Sequence, residues 1–256
     1  MTDKQSPVRK VRYKILLITD SLAFPRLEPE AVMYEDTYIA LLKSEFPQCD
    51  FIHHGRGGAT IVDLFKHSTY YHQTLRPDLV FMQSGVVDCA PRALTVIEQQ
   101  VISRLPLVSR PIASLVKRYS HMLRRARKMT YTPLETFVEY VSKFESIFQN
   151  VYWIDILPVF ALYESKVEGM QRNTETYSAI LRTHKYIGTA QFQVGDIMTD
   201  FHHLSCEGHR KMCALLSQVI RREFPPLISQ GSSLGRLQCH MVAPEKAGSN
   251  TYFFDA

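Results

Sequence analysis

Residues 13–21 read YKILLITDS, and this stretch decides how the rest of the chain is read. Its aliphatic side chains run on without polar alternation and then stop at Thr19-Asp20-Ser21. A strand with one wet face would alternate, so a continuous run of this length fits a parallel strand covered on both sides. In open α/β sheets ligands bind beyond the carboxyl ends of the strands. Ser21 therefore stands where such a sheet holds its ligand.

The pattern recurs downstream. CDFIHH (49–54), PDLVFMQSG (77–85) and NVYWIDILP (150–158) read as further strands, and AQFQVGDI (190–197) as a short fifth strand or a loop. Between them, residues 30–47, 60–68, 132–149, 173–184 and 207–224 carry apolar residues at helical spacing, with Thr60 placed as an N-cap. Strand and helix alternate, which predicts an α/β fold, a doubly wound parallel sheet of about five strands. Residues 1–226 are expected to form this domain, with the basic, mostly helical segment 101–131 as an inserted lid or cap. Residues 227–256 have loop composition and read as a C-terminal extension.

The 256 residues are 45% hydrophobic and 21% charged, ordinary for a soluble domain, and carry a net charge of +5. That charge suits an anionic substrate or a weak attraction to membrane surfaces, and is no nucleic-acid signature. Five cysteines without a CxxC pair indicate reduced thiols. The N-terminal ILLI is too short for a signal h-region, and no stretch approaches the roughly 20 apolar residues that span a bilayer. A soluble, cytoplasmic protein is expected.

Ser21 alone could be an N-cap, a phosphate contact or a nucleophile. A serine attacks only where a histidine takes its proton and a carboxylate holds that histidine. Asp200 and His203, in the D-x-x-H of MTDFHHLSCEGHRKMC (198–213), supply such a pair within one turn. The same segment offers His203, Cys206 and His209 as zinc ligands, but no fourth ligand stands at recognisable spacing, so no metal is expected. On extended backbone His202 and His203 would point opposite ways. His209 reads as packing in the first helical turn, and Cys89 as a small buried residue. Of His53 and His54, one is expected packed and the other solvated. The basic run 117–128 fits a solvated helix face, a lid over an anionic substrate, or an interfacial helix.

Four segments in order, TDSLAFP (19–25), GRGGAT (55–60), SGVVDCAPR (84–92) and DFHHLSCEGH (200–209), resemble the sequence blocks of the SGNH hydrolase (GDSL esterase/lipase) superfamily. The resemblance spans roughly residues 13–222. It implies a three-layer α/β/α, flavodoxin-like fold and acyl-ester chemistry without a cofactor. Ser21 would be the nucleophile, His203 the general base and Asp200 its orienting acid. The oxyanion hole would use the N–H groups of Ser21 and Gly58, with Gly57 as the alternative for the second. Thr19 stands where the family has glycine, and Val87 where its third block has an asparagine. Losing one oxyanion donor typically costs roughly 2.7–4 kcal/mol of transition-state stabilisation. Arg92 is a candidate substitute donor, and Asp88 and His202 are further candidates for substrate contact. GVVDCAPR also resembles a subgroup associated with bacterial polysaccharide gene clusters. The implied function is a serine esterase or O-acyltransferase acting on an acetyl or similar small ester of a carbohydrate, with an anionic glycan as one substrate class. The alternatives are a lysophospholipase or thioesterase and a binding protein without turnover.

Overall fold

The computed structural model describes residues 12–225, except positions 96, 97, 99, 100, 103, 105–113 and 115–117. The tail 227–256, with Cys239, and much of the expected lid 101–131 lie outside the described residues. The opening strand, β1 (Tyr13–Thr19), is flanked on both sides, and Ile15, Leu16, Leu17 and Ile18 are completely buried. β2 (Cys49–Gly55) pairs with it from Tyr13↔Cys49 to Thr19↔Gly55, and β3 (Leu79–Gln83) lies along its other side. β4 (Val151–Ile154) and β5 (Tyr186–Ile187) complete a five-stranded, all-parallel sheet in the order β2-β1-β3-β4-β5.

That order reverses direction at β1. The chain leaves β1 through α1 (Tyr38–Glu45) toward β2, then crosses back through α2 (Ile61–Thr74) to β3. Because such crossovers are right-handed, α1 and α2 fall on opposite faces. α4 (Leu134–Ile147) packs on α2, α6 (Met170–Leu181) packs on α4, and the C-terminal α7 (Cys206–Glu223) returns to α1. This is the expected three-layer α/β/α arrangement, with a crevice between the carboxyl ends of β1 and β3. Trp153, Phe81, Phe137 and Phe144 fill the core between the sheet and the α2 side.

Thr60 caps α2 as expected, in a reciprocal capping box with Asp63. Other boundaries moved. The helix expected over 30–47 begins only after Thr37, whose side chain caps Ala40, because the preceding chain turns back in an Arg26–Val32 bridge. The fifth strand is Tyr186–Ile187. Residues 190–197 take the loop alternative, drawn into a short 3-10 turn by reciprocal Gln193 and Asp196 contacts. The short α5 (Ala161–Lys166) was not anticipated. Within the basic segment, α3 (Ser120–Arg127) is followed by Met129–Thr130, which pairs antiparallel with Pro91–Arg92. Among the described residues no helix is long and apolar enough to cross a membrane.

Candidate active site

Where β1 ends, the Asp20 N–H still donates to the Gln83 carbonyl of β3, and the chain then turns through a short 3-10 helix, Ser21–Ala23. The Asp20 carboxylate caps this turn by accepting from the Leu22 N–H at 3.0 Å. Its other oxygen is buried without a partner, and burial pushes this acid up to about 7. Asp20 thus fixes the turn that carries Ser21 into the crevice.

Opposite it, the loop before α7 delivers Asp200 and His203. Ser21 Oγ lies 3.0 Å from His203 Nε2, and His203 Nδ1 lies 2.6 Å from Asp200 Oδ2. The other Asp200 oxygen accepts the backbone N–H groups of His202 and His203, so one carboxylate both shapes the turn and orients the ring. With the Nδ1 proton directed at Asp200, Nε2 is left as an acceptor for the serine hydroxyl. Burial pushes His203 down to about 4 against the upward pull of its Asp200 bond, with His202 and Arg26 adding to the depression. Burial alone would raise Asp200, but its His203 hydrogen bond and the neighbouring histidine charges hold it well below the usual carboxylate range.

His202 departs from the expected alternation. The chain bends at 201–203 instead of running extended, and the His202 and His203 centroids are 4.1 Å apart. His202 Nδ1 bonds the Asp200 carbonyl at 2.9 Å, and its ring stacks on Tyr163, which also stacks on Phe201.

Arg26 was missed in the sequence because it sits in an unpatterned loop. The Arg26–Val32 bridge holds it beside the histidine, with Nη1 2.8 Å from His203 Nδ1 and 3.8 Å from Asp200 Oδ2. Nη2 donates to the Ser21 carbonyl at 3.3 Å. A ring nitrogen that donates to Asp200 cannot also accept from Arg26, so the guanidinium acts on the ring through its charge. The same loop is tied down where the Thr199 N–H donates to Glu30.

The second block places Gly58 at φ 64°, in the left-handed region that favours glycine, and an added Cβ would meet nothing within 4 Å. Gly57, the alternative, lies closer to Phe24. The Arg56 N–H donates to the Thr19 carbonyl, which ties this turn to the end of β1. The Thr19 hydroxyl contacts His53 Nε2 at 2.8 Å, which fits threonine into the family's glycine position. His53 and His54 are both half-buried, the latter against His72, so neither is the solvated one.

In the third block, Val87 is 3% exposed and belongs to the core. Asp88 is completely buried and accepts from the Ile61 N–H, Ser84 Oγ and Thr132 Oγ1. It ties three segments together from behind and is not placed for substrate contact. The Arg92 guanidinium lies over the Tyr131 ring at 4.0 Å. Cys89 is buried, as expected, and burial pushes its thiol up to about 12.

The three zinc candidates do not converge. His209 is buried with Nδ1 accepting from the Tyr38 N–H, and Cys206 Sγ donates to the Ala31 carbonyl. Ligand atoms of Asp200, His202 and His203 do lie within 4.8 Å of one another. His203, however, spends one nitrogen on Asp200 and the other on Ser21, which leaves none for a cation while the serine contact is kept.

No family model and no curated protein matches the sequence. Solved structures do match the fold. A lipase/acylhydrolase from Enterococcus faecalis is 16% identical, with a TM-score of 0.58, covering 82% of this chain and 96% of its own. An acetylxylan esterase from Geobacillus stearothermophilus is 15% identical, TM-score 0.50, covering 84% and 95%. A GDSL-like lipase from Bacteroides thetaiotaomicron is 13% identical, TM-score 0.50, covering 82% and 88%. The three-layer sheet with its crevice at β1 and β3 is thus the fold of GDSL-type lipases, acylhydrolases and acetylxylan esterases.

Proposed function

We propose that the protein is an SGNH-type serine ester hydrolase acting on a small acyl ester, acetyl above all, carried by a carbohydrate. The observation that carries this reading is the unbroken chain from Ser21 Oγ to His203 Nε2 at 3.0 Å and from His203 Nδ1 to Asp200 Oδ2 at 2.6 Å. Ser21 Oγ attacks the acyl carbonyl while His203 takes its proton, and Asp200 stabilises the imidazolium that forms. The N–H groups of Ser21 and Gly58 receive the oxyanion. His203 then returns the proton to the departing alcohol. Water, activated by the same imidazole, releases the acyl group, and a sugar hydroxyl in its place would make the reaction an O-acyl transfer.

Val87 favours a second reading, a binding protein with little turnover, because valine offers no third donor to the oxyanion. Incubation with p-nitrophenyl acetate and with acetylated oligosaccharides separates the two. Hydrolysis that disappears in Ser21→Ala, with fluorophosphonate labelling at Ser21, supports the enzyme. No serine-dependent hydrolysis and no labelling would refute it.

A further inference from the structure

The loops leaving the carboxyl ends of β3 and β4 frame a second feature. A cleft of about 170 Å³ opens between α3 and the first turn of α6. Arg124, Lys128 and Arg172 line it, opposed by a single carboxylate, Glu168. Its floor includes Asn173, whose Nδ2 donates to the Cys89 carbonyl and so fixes the cleft to the loop that carries Val87.

The cations here are not spent on the fold. Arg127, one turn away, is locked to Glu98 through two bonds of 2.7 Å. Among the described residues Arg124, Lys128 and Arg172 have no such ion pair, and the Arg124 Nε is buried without a hydrogen-bond partner. A buried donor with no acceptor is costly, and a bound acceptor would remove the cost. Lys128 can be explained by the negative C-terminal end of its own helix, but Arg172 cannot. It sits in the first turn of α6, where the helix dipole disfavours a cation. Arg172 Nη2 reaches only the side-chain oxygen of Asn173, at 3.4 Å.

Helix α5 links the cleft to the histidines, because its Glu164 Oε1 accepts the N–H of Gly169 in the cleft wall at 2.7 Å. On the same helix Tyr163 is buried and stacks on Phe201 and His202. The cleft wall and the loop that carries His202 and His203 are therefore joined by one short helix. Guanidinium forks beside an ammonium match an oxyanion such as phosphate or carboxylate.

We propose that this cleft is an anion subsite that takes the phosphate or carboxylate of an acidic sugar ester while Ser21 meets its acyl group. The inference rests on the esterase reading and narrows it to anionic substrates. Three O-acetyl sugars of one scaffold test it: neutral, phosphorylated and uronate. The full chain is compared with Lys128→Gln and Arg172→Gln, both at exposed positions where folding is checked by thermal melting. The expected result is a higher kcat/KM for at least one anionic ester. The ratio over the neutral ester should fall about tenfold with each substitution, the size of a lost charge-assisted hydrogen bond. Phosphate preferred over uronate, or the reverse, identifies which oxyanion the subsite takes. Inorganic phosphate should also shift NMR signals of the cleft, and this readout needs no turnover. Equal kcat/KM for all three esters, or a ratio unchanged in both variants, would overturn the subsite. Phosphate-induced shifts in the cleft without Ser21-dependent hydrolysis would instead overturn the esterase reading and leave the subsite standing.

Discussion

Replacing Arg26 isolates the electrostatic setting of the base. Its Nη1 is 2.8 Å from the His203 ring nitrogen that faces Asp200. Two unit charges 4 Å apart interact by about 4 kcal/mol at an effective dielectric of 20 and by about 1 kcal/mol in bulk water. The Arg26 side chain is 20% exposed, so its repulsion of an imidazolium falls between those limits, at about 2 kcal/mol. At 1.36 kcal/mol per unit this corresponds to about 1.5 pH units. The sign follows from the proton. Removing a cation stabilises the protonated ring, so the His203 pKa rises from about 4 toward about 5.5. Only the neutral ring accepts the serine proton, so the acid limb of kcat/KM moves up in pH by the same amount. At pH 5 an Arg26→Ala enzyme would then show about a quarter of its own rate at pH 8, against about nine-tenths for the unaltered chain. Arg26→Lys keeps the charge and should leave the limb near its original position. The assay is p-nitrophenyl acetate hydrolysis from pH 4 to 8. Arg26 also bonds the Ser21 carbonyl, and a purely structural loss there would lower the rate equally at every pH. An acid limb that stays in place or moves to lower pH refutes the electrostatic reasoning.

Two further outcomes are expected. Val87→Asn restores an amide at the family's third donor position and should raise kcat up to about a hundredfold with little change in KM. Its cost is a lower melting temperature, because Val87 is packed in the core, and an unchanged or reduced kcat would show that the position does not reach the oxyanion. Acid stability follows from His53, His203 and His209, which burial pushes down to about 4, 4 and 3. The unfolded chain binds their protons first, so stability is full above an ordinary imidazole pKa and declines as pH falls below it. At pH 5 each should cost about 2 kcal/mol relative to pH 8, readable in urea titrations. A midpoint independent of pH between 5 and 8 would contradict their burial in the neutral form.

What the sequence disclosed and what it hid divide along a physical line. β1 was legible because burial on both faces leaves its mark in consecutive residues, ILLI, and the Thr60 cap because its partner is three residues away. Asp200 and His203 could be paired for the same reason, since one turn brings the carboxylate to the ring. The two-residue strand β5 had no run to betray it, being defined only by pairing with β4. The same limit misled the reading of His202 and His203. Alternation assumes extended backbone, and the chain bends at 201–203, with no glycine or proline there to announce it.

Arg26 and Tyr163 were illegible for a stronger reason. Neither stands in a periodic element facing the serine, and each reaches the site through a fold-level juxtaposition. Arg26 comes from a loop bridged to Val32, and Tyr163 from a helix of six residues whose ring meets Phe201 and His202. Spacing alone could pair Asp200 with His203, whereas Ser21, far away in the chain, was matched to them through the resemblance of the four blocks. The charges and rings that set the base's pKa act over several ångströms, so many different loops could supply them and no fixed spacing marks them. Val87 shows the converse. Its missing amide is visible at a glance, but whether the loss matters depends on what else points at the oxyanion. On the esterase reading proposed above, with Val87 packed in the core and the Arg92 guanidinium over Tyr131, the N–H groups of Ser21 and Gly58 would carry that charge. A two-donor hole slows attack on unactivated esters most, because an activated leaving group lowers the barrier that the hole must stabilise. The penalty should therefore be larger on acetylated sugars than on p-nitrophenyl acetate, unless the sugar is held by contacts beyond the acyl group. The cationic cleft proposed above as an anion subsite would supply such contacts.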